Sequence, residues 1–119
     1  MAIRSVSSTI RKNEKVYATL SQKERPNPGQ LAMVAGDLKN FSAMRALLEQ
    51  AQRGEKPDLT GEEWEALRAA LPGYIAQIEK VLPKFRPGTP QHTLAWRRIE
   101  SYRMVSRLME ETGMQYSRD

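Results

Sequence analysis

The stretch LTGEEWEALRAALPGYIAQIEKVLPKF, Leu59 to Phe85, decides how this chain folds. Thr60 with Glu63 three residues later is a capping box, in which side chain and backbone exchange hydrogen bonds across the first helical turn. Leu59 and Trp64 stand where a hydrophobic staple would place them. Downstream, Trp64, Leu67, Leu71, Tyr74, Ile75, Ile78, Val81, Leu82 and Phe85 recur three and four apart, which is the period of a helix with one apolar face. Pro72 falls inside this pattern. A proline removes one backbone donor and crowds the preceding turn, so it ends or bends a helix. The apolar phase is kept on both sides of Pro72, which projects away from the stripe. The spacing therefore predicts one helix over 61–85, kinked between Ala69 and Gly73.

The same reading extends in both directions. Asn27 can cap a helix whose first residue is Pro28, where a missing N–H costs nothing, and Gly54 can end it. Between them Met33, Val34, Leu38, Phe41, Met44, Leu48 and Ala51 form a stripe that keeps phase across Gly36, giving one helix over 28–52. Thr89 and Pro90 open a last helix over 90–112, with Leu94, Ala95, Ile99, Tyr102, Val105, Leu108 and Met109 on one side and Gly113 as its stop. A first helix is expected over 8–23. Its seam, Ile3, Val6, Ile10, Tyr17 and Leu20, has Asn13 at the missing step and begins in the lead-in before Ser8. The serine-rich, acid-free start from Met1 to Lys12 loosely resembles a transit peptide, but its periodicity fits a bundle helix better.

Proline- and glycine-rich breaks at 25–29, 54–58 and 86–90 separate the four segments, and no strand pattern or internal repeat intervenes. The expected architecture is all-α: a single domain over 1–119, folded as an antiparallel four-helix bundle with a proline-kinked third helix. In that topology the first helix lies beside the fourth.

Charge is distributed unevenly over this frame. Residues 1–25 carry a net +4 and residues 84–107 a net +5, whereas 26–83 and 108–119 each carry −2. Side by side, the outer helices would present one basic flank. The overall net charge of +5 favours association with anions, although charge speaks to association rather than to fold. No stretch approaches the roughly 20 apolar residues of a membrane span. The chain has no cysteine, which excludes thiolate chemistry and suits a reducing, cytoplasmic setting.

Candidate functional residues are few. Trp96, Arg97, Arg103 and Arg107 point away from the apolar stripe of the last helix, and tryptophan with arginine is the composition of interface hot spots. Asp37 and Arg98 each interrupt an apolar stripe, and a lone buried charge is costly, so a structural pair between them is expected. His92 is the only histidine, no carboxylates show metal-ligand spacing around it, and no nucleophile motif is present. These features point to a non-enzymatic interaction module without cofactor, metal or small-molecule ligand. It would act by protein–protein association, with itself or with a partner. The alternative is weakly sequence-specific nucleic-acid binding through Arg4, Arg11, Lys12, Lys15, Arg97, Arg103 and Arg107 on the basic flank.

Overall fold

The computed structural model describes residues 2–116, with side chains described through Thr112. Its helices are α1 (Ala2–Ser21), α2 (Pro28–Gln52), α3 (Gly61–Val81) and α4 (Pro90–Tyr116), with a 3₁₀ turn over Leu82–Lys84. The described residues contain no strand.

Local chemistry accounts for most of the boundaries. The Asn27 side chain accepts from the backbone N–H groups of Gly29 (2.9 Å) and Gln30 (3.2 Å), fixing the start of α2. Its end is a Schellman motif, in which Glu55 N–H donates to the Gln50 carbonyl and Gly54 N–H to the Ala51 carbonyl. Gly54 takes the left-handed backbone (φ 71°) that this motif needs. At α3 both halves of the capping box form: Glu63 N–H donates to Thr60 Oγ1 and Thr60 N–H to Glu63 Oε1, each at 3.1 Å. At α4, His92 N–H donates to Thr89 Oγ1 at 3.3 Å. Caps of this kind contribute about 1 kcal/mol each.

Four boundaries differ from the sequence expectation, the slightest being the end of α1 at Ser21 rather than 23. Helix α1 begins at Ala2 rather than Ser8, because Val6 is fully buried and Ile3 packs against the core. Burying a valine contributes about 1.5–3 kcal/mol, enough to draw a serine-rich segment into the helix. Helix α3 passes unbroken through the exposed Pro72 but gives way to the 3₁₀ turn before 85. Pro83 has no N–H to offer the Glu79 carbonyl, so the α-pattern stops there. Helix α4 continues through Gly113, since one glycine weakens a helix by only about 1 kcal/mol.

Each helix packs on its chain neighbours, and α4 closes the ring against α1. Ile3 lies beside Leu48, while Asn13 shares a pocket with Asp37, so α1 and α2 are antiparallel. Tyr74 bonds Asp37 and Asn40, while Asp58, just ahead of α3, bonds Gln50, so α2 and α3 are antiparallel too. The α2–α3 loop meets Leu108 and Thr112 near the far end of α4, which runs α4 back along α3. The core joins Val6 and Ile10 to Phe41, Met44, Leu47, Leu48, Leu67, Leu71, Tyr102, Val105 and Met109. Thr9 and Ser101 are buried beside it and satisfy their hydroxyls on carbonyls four residues back, Ser5 and Arg97.

The core does not reach the α1–α2 hairpin tip: no residue from 11 to 33 is buried. Tyr17 and Met33, expected on the apolar faces, are therefore exposed, Met33 to 63%. Leu94 is likewise 59% exposed, because the buried face of α4 is centred on Ala95, Ile99 and Tyr102.

Candidate functional site

Three concavities lie where α4 packs against α1. The largest is an apolar groove of about 490 Å³ between the start of α1, the last turns of α2 and the middle of α4. Ile3, Leu48, Ala51 and Leu108 line it together with the exposed Trp96 and Met104. Helical spacing puts Trp96, Glu100 and Met104 on one strip of α4, while the start of α1 brings Ala2 and Ile3 opposite. Trp96 and Met104 are 45% and 41% exposed, which is unusual for side chains of that apolar area. Polar groups edge the groove: Gln52, Arg97, and Glu100, whose Oε1 accepts from Arg103 at 3.1 Å.

On the other side of Arg97 lies a cleft of about 410 Å³ on the α1–α4 seam. Arg4, Ser5 and Ser8 contribute from α1, and Leu94, Arg97 and Arg98 from α4. Among the described residues, no carboxylate lies within 4 Å of Arg4, Arg97 or Arg98. Three arginines thus line one cleft with no carboxylate close by among the described residues.

The third concavity, about 200 Å³, adjoins the second through Arg98 and brings together Lys12, Asn13, Asp37, Tyr74 and Tyr102. Here Asp37 finds its partner. The Tyr74 hydroxyl donates to Asp37 Oδ1 and accepts from Asn40 Nδ2 at 3.1 Å. Burial, followed by the Asp37 carboxylate, pushes the Tyr74 hydroxyl well above its ordinary pKa, against the opposing effect of Asn40. Burial also raises Tyr102, and the Arg98 charge and the Thr9 hydroxyl oppose it. Phe41 binds the two tyrosines into one aromatic cluster, with centroids 5.0 Å from Tyr74 and 6.3 Å from Tyr102.

The expected Asp37–Arg98 pair is therefore corrected. The two side chains line one pocket, but the neutral tyrosine takes the carboxylate. Pairing with a phenol avoids desolvating a second charge, which is the larger cost in a buried ion pair. Of the expected interface residues, Trp96 and Arg97 line the groove, Arg103 is tied to Glu100 beside it, and Arg107 is exposed outside its lining. On the basic flank, Arg4 and Arg97 meet in the arginine cleft and Lys12 enters the Asp37 pocket. Arg11 and Lys15 are exposed and line none of the three. Sequence reasoning missed Ser5 and Ser8 as site residues, since they reach the seam only when α1 starts at Ala2.

Among the described residues, no three His, Asp or Glu side chains gather at ion-binding spacing, and no helix is long and apolar enough to cross a membrane. No protein-family model matches this chain, and neither a curated protein nor a solved structure is significantly similar to it.

Proposed function

We propose that this protein is a non-enzymatic docking module that takes an amphipathic helical segment of a partner, a second copy included, into the Trp96 groove. One observation carries the reading. Trp96 and Met104 stand half exposed beside Ile3, Leu48 and Leu108 in an open apolar groove. An amphipathic helix lays its apolar side chains into such grooves, and tryptophan dominates the energetics of many interfaces. The polar edge of Gln52, Arg97 and Glu100 would fix orientation. The cysteine-free composition fits action in a reducing, cytoplasmic compartment.

The test is sedimentation of the protein in a native extract. The wild type is expected to run heavier than the isolated chain. Met104→Glu, an exposed change that leaves the core intact, is expected to release it, and Met33→Glu at the hairpin tip is not. Equal sedimentation of all three at the monomer position would overturn the reading.

A further inference from the structure

We propose that the α1–α4 cleft lined by Arg4, Ser5, Ser8, Arg97 and Arg98 binds a phosphate group, and that a phosphomonoester is the form it fits. The inference stands apart from the groove, with which the cleft shares only Arg97.

Charge is the first argument. Arg53, Arg68 and Arg103 have carboxylates within 4 Å, from Glu49 and Glu55, Glu65, and Glu100 respectively. The three arginines of the cleft, like Arg11, Arg25, Arg45, Arg86 and Arg107, have none among the described residues; these three line one cleft, where an entering anion would offset their mutual repulsion. The neighbouring acids are committed elsewhere. Glu100 is tied to Arg103, and Asp37, past Arg98 in the adjoining pocket, is tied to Tyr74. Lys12, the other charge in that pocket, adds to the positive field.

Donor chemistry is the second argument. A guanidinium presents planar, paired N–H donors that match phosphate oxygens, and clusters of arginine are the recurrent means of holding phosphorylated groups. Ser5 and Ser8, three residues apart on α1, line the same wall and place their hydroxyls toward one side of the helix. The exposed Leu94 adds apolar surface against which an esterified group can rest.

Shape and charge count select the monoester. Three cations around one open cleft suit the two negative charges of a phosphomonoester better than the single charge of a phosphodiester. A polynucleotide would call for a row of cations along the flank, yet Arg11 and Lys15 lie outside the cleft.

The experiment follows the arginine side-chain N–H resonances of the full chain by NMR. Probes are inorganic phosphate, phenyl phosphate, an end-blocked single-stranded oligonucleotide that holds only phosphodiesters, and sodium chloride at matched ionic strength. Saturable shifts at Arg4, Arg97 and Arg98 are expected with phosphate and, more tightly, with phenyl phosphate. Arg4→Gln and Arg97→Gln, both at exposed positions, are each expected to weaken phenyl phosphate binding about tenfold. Arg11→Gln is expected to leave it unchanged. Shifts that chloride reproduces, or that spread equally to Arg11, would reduce the site to general screening and overturn the proposal. Saturation by the oligonucleotide at lower concentration than by phenyl phosphate, weakened by Arg11→Gln, would overturn the monoester assignment in favour of a polynucleotide. None of these outcomes depends on Met104, so they leave the groove reading untouched.

Discussion

On one side of Arg98 a pocket contains Asp37, whose carboxylate accepts from Tyr74 while Asn40 supports the tyrosine and Phe41 packs over the ring. On the other side the cleft of Arg4, Arg97 and Arg98 lacks a counter-charge among the described residues. The two regions share a side chain and lie on the same seam, but only the first contains a carboxylate. In the first, Asp37 and Tyr74 are each satisfied within the fold, and that network contributes to stability. In the second, the described residues supply three cations and no carboxylate, which is the basis for proposing an external anion there. The contrast shows that a charge close to the core is not by itself a sign of function: Asp37 commits its carboxylate to Tyr74 within the fold.

The contrast can be broken most directly at Asp37. Asp37→Ala is expected to cost about 1–3 kcal/mol, because the half-buried Tyr74 hydroxyl loses its acceptor. Asp37→Asn keeps an acceptor and should lose about 1 kcal/mol or less. Urea denaturation distinguishes these values, and an Asp37→Ala variant as stable as the wild type would show that the pocket is not a stabilising network.

Alkaline pH sharpens the same side of the comparison. Tyr74 and Tyr102 both have folded-state pKa values raised above the ordinary tyrosine value of 10.0. Their contribution to stability is complete below that value, where the unfolded side chains are also protonated. It is lost as pH rises toward the folded-state values, because the unfolded chain ionises first. Stability should hold to about pH 10 and then fall by about 1.4 kcal/mol per pH unit for each tyrosine kept protonated. Tyr74→Phe should reduce that slope; an unchanged slope would contradict the role given to burial.

The smallest effect belongs to the other side. Arg97→Gln should alter stability by no more than about 0.5 kcal/mol. It should be slightly stabilising at low salt through relieved repulsion, with the gain fading at high salt as screening shortens to about 3 Å near 1 M. A loss comparable to Asp37→Ala would mean that Arg97 has a structural partner and would erase the contrast.

Much of the fold was legible because its signals are local. Asn27, Thr60, Thr89 and Gly54 each act within one helical turn, and all four set the boundaries expected of them. Less legible was anything decided by which helix stands opposite. The stripes of α1 and α2 continue through Tyr17 and Met33, but the core ends before the hairpin tip, and no periodicity can reveal where a facing helix stops. Asp37 was rightly singled out as needing a partner; whether α3 or α4 would supply it depends on the rotation of two helices about their axes. The site was half legible for the same reason. Trp96 and Arg97 stand off the apolar stripe of α4 and could be read from phase alone. The serines of the cleft come from the early start of α1, which tertiary burial of Val6 decides.

We propose that the protein meets its partner on the α1–α4 face, at the Trp96 groove in particular. A photo-reactive amino acid placed at Met104, in cells that make the protein naturally, tests that contact directly against the same probe placed at Met33. The account predicts a discrete cross-linked adduct from position 104, none from position 33, and loss of the adduct when Trp96→Ala is added. Equal labelling from both positions, or an adduct from Met33 alone, would contradict it.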